Sequence, residues 1–124
     1  MNELIGYQER ITWMGQGVLT LAEVWPDRPR AMIVGLNPAP VSVEAGHYYQ
    51  GKSGQRQLHR LVSAGLLSPP SGSYFEESAL AAGVGFTDIV RRPTTGEAGV
   101  SKAEIAHGST LLTESLAAAG RCLP

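Results

Sequence analysis

The chain has 124 residues, 43% of them hydrophobic and 17% charged, with a formal net charge of -1. This is the make-up of one ordinary globular domain, read as 1–124 and near the lower size limit for a sheet covered by helices. It excludes a global cationic field, so nucleic-acid contact must come from local basic clusters, and the single cysteine, Cys122, excludes a disulfide framework and a four-cysteine metal or iron–sulfur site. No apolar run approaches a membrane span or a signal-peptide core, which predicts a cytoplasmic location and no membrane partner.

Residues 1–10 are polar and without period, the pattern of a frayed terminus. Within 12–25, Val18, Leu21, Ala22 and Trp25 fall at helical spacing, with Thr12 placed to cap and Pro26 to stop; residues 18–24 also tolerate a strand, and we read the segment as helix. A turn at 26–29 feeds the run 31–36, where Met32, Ile33, Val34 and Leu36 are too continuous for a half-wet strand. A parallel strand covered on both faces is expected. It stops at Gly-x-Asn-Pro: Pro38 cannot donate to a ladder and favours an extended residue before it, so pairing should end where the Asn37 amide emerges. That is the C-terminal strand edge, where open α/β sheets bind ligands.

Residues 38–53 show no period and carry Gly46, His47, Tyr48, Tyr49, Gly51 and Lys52, the mark of a functional loop. Ser53 is placed to cap a helix with Leu58, Leu61 and Val62 on one face and Gly65 at its end. Its first turns present Gln55, Arg56, His59 and Arg60, a basic face suited to phosphate or simply to solvent. After the loop 68–73, Ser73 and Glu76 form a capping pair for a short helix closing near Gly83, and 84–90 form a second strand bounded by Gly83 and Pro93. Strand, helix and strand imply a parallel crossover with both strand ends on one rim. Residues 100–104 hold another capping box, Ser101 and Glu104, opening a helix whose stripe is Ile105, Leu112 and Leu116 up to Gly120.

The run GLNPAPVSVEAGHYYQG from Gly35, the later GFTDIVRRPT ending at Thr94 and the VSKAE from Val100 resemble the mismatch-specific uracil/thymine-DNA glycosylases of the uracil-DNA glycosylase superfamily. The resemblance runs from about Met32 to the last helix. It implies a three-layer α/β/α fold with a short parallel sheet and a base-excision-repair hydrolase needing no metal or cofactor. The substrate it implies is double-stranded DNA in which uracil, or thymine, is mispaired with guanine. Such hydrolysis needs a water held at C1′, stabilisation of an oxocarbenium-like transition state and stabilisation of the departing base anion. In the family, the Asn of Gly-x-Asn-Pro positions that water, which carries over to Asn37, with Thr94 helping to hold it. Tyr49 matches the aromatic that stacks on the flipped base. Asp88 stands where relatives carry a polar side chain facing the base, with Gly35 and His47 placed at the same pocket. If ionised, Asp88 can only accept, which suits N3–H but leaves O4 without a partner. Lys52, Arg56, Arg91 and Arg92 are the candidates for the DNA backbone.

Each assignment has an ordinary alternative: Asn37 as a turn residue, Tyr49 as a surface aromatic, Asp88 facing solvent or capping an element, and the arginine pair as a solvated turn. Ala39, Gln55 and Leu58 stand where the family has Gly, Asn and Trp, which bears on pocket shape and substrate range. The family also continues past the last helix with two parallel strands and an intercalating loop that nothing before Pro124 matches. The expectation is therefore a C-terminally incomplete chain, weakly stable or self-associating through an exposed sheet edge. Two readings stay open, a glycosylase and a non-catalytic relative that binds DNA weakly or not at all. A nucleotide-binding module is disfavoured by the lack of a Gly-x-Gly-x-x-Gly or P-loop lysine motif.

Overall fold

The computed structural model describes residues 3–70, 72 and 74–121. The chain opens with an antiparallel hairpin of β1 (Gln8–Trp13) and β2 (Gln16–Leu21). This corrects the helix expected over 12–25 and the frayed reading of 8–10. The turn explains why: Met14 and Gly15 both adopt positive φ, 48° and 84°, the backbone of a tight two-residue hairpin loop. Trp13, Thr20 and Leu21 are buried, so the apolar spacing that resembled a helix face belongs to a strand and its exit. The hairpin is tied to the body through Tyr7 N–H, which donates to Gly46 O at 2.7 Å.

β3 (Ala31–Gly35) pairs in parallel with β4 (Val84–Asp88), in register from Ala31 opposite Val84 to Gly35 opposite Asp88. The expected α/β class with a short parallel sheet is thus found, and both strands end at the same rim. Burial of the two strands differs. All five β4 residues are buried, whereas Ala31 and Val34 of β3 are exposed, Val34 by 41%. Coverage of β3 on both faces is therefore corrected. The reason is position: Val24 brackets the far side of β4 with a pair of 2.9 Å hydrogen bonds to Phe86, while among the described residues β3 pairs only with β4.

The segment expected as loop contains α1 (Pro40–Ala45), started by a proline at its first turn and closed by Gly46 in the left-handed region at φ 79°. α2 (Lys52–Ser63) starts after Gly51 rather than at Ser53, and puts Leu58 in the core with Leu61 and Val62 packed beside it. α3 (Glu76–Ala81) follows; Ser73, its expected cap, lies outside the described residues, and Phe75 occupies the cap position without a side-chain bond. α2, α3 and β4 share one core through Leu58, Phe75, Ala79 and Phe86. After a 3-10 turn at Glu97–Gly99, α4 (Lys102–Arg121) carries the expected capping box: Ser101 N–H donates to Glu104 Oε1 and Glu104 N–H to Ser101 Oγ, both at 3.1 Å. Gly108 lets α4 lie against the Ile89 carbonyl, which any Cβ there would strike. Ile105 and Leu116 of the expected stripe stay exposed.

Candidate active site

At the rim where β3 and β4 end lies a cleft of about 490 Å³, lined among others by Gly35, Asn37, Tyr49, Lys52, Asp88 and Thr94. Four stretches distant in sequence meet there because the parallel pair ends with Gly35 opposite Asp88, and the segments that follow, with Asn37 after β3 and Thr94 after β4, fold together over that end. Asn37 is oriented without ambiguity. Its Nδ2 donates to the Arg92 carbonyl at 2.9 Å and to Thr94 Oγ1 at 2.8 Å. A carbonyl can only accept, so the amide nitrogen must face that way, and among the described residues Oδ1 has no hydrogen-bond partner, in a residue that lines the cleft. Thr94 in turn donates its one hydroxyl proton to Gly96 O at 2.7 Å. Its oxygen therefore acts on Asn37, orienting the amide, and has no proton left for a water.

Tyr49 is half-buried rather than an exposed loop ring: it packs near Phe86 and Tyr48, each 6.2 Å between ring centres. Its backbone is in the left-handed region at φ 58°, a conformation that costs a residue with a Cβ on the order of 1 kcal/mol or more. Two residues hold it there. Gln55 Nε2 donates to the Tyr49 carbonyl at 2.6 Å, and Gly54 lets the first turn of α2 touch Tyr49, where a Cβ would stand 2.9 Å from Tyr49 Cα. In the sequence Gln55 was legible as part of a face suited to phosphate or solvent and as a departure from the related pattern, not as a brace for Tyr49, and Gly54 carried no signal at all.

Asp88 is the last residue of β4, only 7% exposed, and its carboxyl faces the bare backbone of Gly35 and the Tyr49 hydroxyl. A Cβ on Gly35 would collide with Asp88 Oδ1 and stand 3.1 Å from the Tyr49 hydroxyl, so the glycine makes room for the Asp88 carboxyl to lie against the β3 backbone. Burial pushes the Asp88 carboxyl up to about 7, against the lowering pull of the Arg91 charge. Burial first, and Asp88 second, raise the Tyr49 phenol above its ordinary range, so that hydroxyl stays protonated. The expected solvent-facing or capping alternatives for Asp88 do not describe it.

The structure moves three expected residues away from the roles assigned to them. His47 lines a different cavity: its Nδ1 lies 3.2 Å from both carboxylate oxygens of Glu76 and its ring stacks on Tyr74, because Gly46 turns the chain away after α1. Glu76, buried, also accepts Tyr48 N–H at 2.9 Å. Arg91 donates to Glu9 at 3.0 Å and to the Leu21 carbonyl at 2.7 Å, so it ties the hairpin to the end of β4 instead of meeting phosphate. Arg92 is likewise engaged inside, donating through Nε and Nη2 to Glu104, both at 2.8 Å, and to Gly99 O at 2.6 Å. Glu104 also accepts Trp13 Nε1–H at 3.0 Å, and the Arg92 hydrogen bond, foremost among its partners, holds its carboxyl down at about 2. The cap of α4 thus becomes a strut for the backbone segment that holds Asn37. Lys52 lines the cleft at the start of α2, and Arg56 is exposed one turn further on.

The family model described as Uracil DNA glycosylase superfamily matches residues 22–123, a span that contains β3, β4 and the cleft residues Gly35, Asn37, Tyr49, Lys52, Asp88 and Thr94.

Proposed function

The chain belongs to the uracil-DNA glycosylase superfamily, and from that premise we propose that it hydrolyses the N-glycosidic bond of uracil, or of thymine, mispaired with guanine in double-stranded DNA. The observation that carries the reading is the tethered Asn37 amide, with both N–H bonds used inward and Oδ1 presented to the cleft. An amide oxygen is too weak a base to ionise water, so its contribution is placement: it accepts one water proton and fixes the oxygen lone pair toward C1′ of an extruded nucleotide. As the C1′–N1 bond breaks, the sugar gains oxocarbenium character and the base leaves with the bonding pair. The water oxygen bonds to C1′, its proton passes to solvent or to the departing base, and the products are free base and an abasic site.

The other lining groups suit the same event. The Tyr49 ring offers a π-face to a base that has lost its stacking neighbours. Gly35 leaves space for the Asp88 carboxyl to sit at the end of β4, beside the Tyr49 hydroxyl. Lys52 and the uncapped N–H groups of the first α2 turn lie along the cleft and favour a flanking phosphate. Arg91 and Arg92 are left out of that role because their guanidinium groups are engaged internally.

The test is uracil release from a G:U duplex. Asn37→Ala should slow release about a hundredfold or more, the scale of losing one placed polar group in a transition state, while binding to an abasic duplex stays within about twofold. Release at the wild-type rate would overturn the reading. Faster release from G:U than from A:U duplexes is the result expected for mismatch preference.

A further inference from the structure

Resting on the glycosylase reading of the cleft, we propose that Trp13 and Gln8, at the two ends of β1, are positioning residues for the reaction: Trp13 holds the wall that carries Asn37, and Gln8 the wall that carries Tyr49. The hairpin lies outside residues 22–123, the span matched by the family model, and among the described residues Leu21 alone of the hairpin lines the cleft. Three side chains of β1 nevertheless bond to the segments that close the cleft. A strand of six residues runs roughly 17 Å from its first Cα to its last, long enough to reach both walls from behind.

At the first end, Gln8 Nε2 donates to Val43 O at 2.7 Å and to Glu44 O at 3.3 Å, and Tyr7 N–H donates to Gly46 O at 2.7 Å. Val43 and Glu44 belong to the last turn of α1, where helix carbonyls run out of partners further along the chain. From Gly46 the chain leads directly into Tyr48 and Tyr49. The Tyr48 hydroxyl fastens the same wall again, donating to Ala22 O at 2.7 Å just past β2. At the other end Trp13, 3% exposed, donates Nε1–H to Glu104 Oε2 at 3.0 Å and meets the ring of His107 edge to face. That same oxygen accepts Arg92 Nε–H at 2.8 Å, and the Arg92 carbonyl accepts Asn37 Nδ2 at 2.9 Å. Only Glu104 and Arg92 stand between the indole and the Asn37 amide. Midway, Glu9 and the Leu21 carbonyl accept from Arg91, the neighbour of Arg92.

A carboxylate shared by several donors holds each at an angle set by the others. Without the indole N–H, Glu104 keeps Arg92 and the Ser101 cap, so α4 stays in place, but Oε2 loses one of the donors that fix its direction. Asn37 acts by placement, and about 1 Å of misplacement can cost up to about a hundredfold in rate. Slack at the Trp13 end therefore falls on the rate of release. Tyr49 meets the base by its face, so slack at the Gln8 end falls on affinity for a base that has left the stack. A hairpin that only stabilised the fold would not divide its effects in this way.

The experiment is single-turnover uracil release from a G:U duplex over a range of enzyme concentration, which separates the saturating rate from the half-saturating concentration. Trp13→Phe keeps a ring and removes the donor; its saturating rate should fall about three- to tenfold with half-saturation within about twofold, and on an Asn37→Ala background it should cost almost nothing further. Gln8→Leu should raise half-saturation about three- to tenfold with the saturating rate within about twofold, and this loss should vanish on a Tyr49→Ala background. Ile11→Ala, an apolar change in the same strand, should lower the melting temperature and leave both constants unchanged where the protein is folded. A wild-type rate in Trp13→Phe, costs that add in full to Asn37→Ala, or equal slowing by Ile11→Ala overturns the proposal. Were Trp13→Phe not to fold, Gln8→Leu decides, and an unchanged half-saturation there overturns it. If release depends on Asn37 and neither β1 variant alters it, only this proposal fails; if Asn37→Ala leaves release unchanged, the glycosylase reading fails with it.

Discussion

Thr94→Val tests whether the threonine acts through Asn37 or on the water directly. Valine keeps the shape of threonine and removes the hydroxyl that accepts from Asn37 Nδ2 at 2.8 Å. The second bond, from Nδ2 to the Arg92 carbonyl at 2.9 Å, remains, so the amide still cannot flip, but it can pivot. Losing one of two such bonds costs about 1 to 1.5 kcal/mol, which corresponds to roughly tenfold in kcat, well short of the hundredfold expected for Asn37→Ala. The exposed Gly96 carbonyl loses its donor too, but water replaces it, so melting should shift little. The assay is a double-mutant cycle on single-turnover release from a G:U duplex. If Thr94 only orients Asn37, then adding Thr94→Val to Asn37→Ala should cost almost nothing further. Thr94→Ser, which retains the acceptor, should stay near wild type. Costs that simply add would refute the argument and return Thr94 to an independent contact with the water.

Two further outcomes follow from the packing. Gly54→Ala gains up to about 1 kcal/mol of helix propensity but drives a Cβ to 2.9 Å from the backbone of Tyr49, and overpacking of this kind costs about 1 to 3 kcal/mol. The clash should win, lowering the melting temperature and weakening binding to a uracil-bearing duplex more than to an abasic one. Glu104→Gln keeps an oxygen for the Ser101 N–H but loses the charge-assisted pairing with Arg92, so it should destabilise the fold at neutral pH and reduce uracil release by loosening the segment that holds Asn37. Because the Glu104 carboxyl is held at about 2, its contribution is present above the ordinary carboxylate range and disappears as pH falls toward 2; the wild-type and Glu104→Gln melting curves should therefore converge in acid.

The sequence by itself determined the local stops and starts that bring the cleft about. An apolar run ending at Asn37-Pro38 can only release its last polar side chain at a strand end, and the Ser101 and Glu104 pair opens a helix through bonds three residues apart, so neighbours in sequence suffice to specify both. The hairpin was beyond that reach because Val18, Leu21 and Trp25 fit two periods, and the choice went to the partner strand β1, which competes for the same backbone groups. The fates of the polar side chains depended on tertiary distance even more. Arg91 and Arg92 look alike in a sequence, yet one meets a carboxylate on β1 and the other a carboxylate on α4. His47 sits two residues from Tyr49 and still faces another cavity, because a single left-handed glycine at Gly46 sends the chain past Glu76 first. The raised titration of Asp88 was also decided only by tertiary structure: a carboxyl has the same chemistry in any sequence, and what raises it here is burial at the end of β4, beside Gly35 and Tyr49.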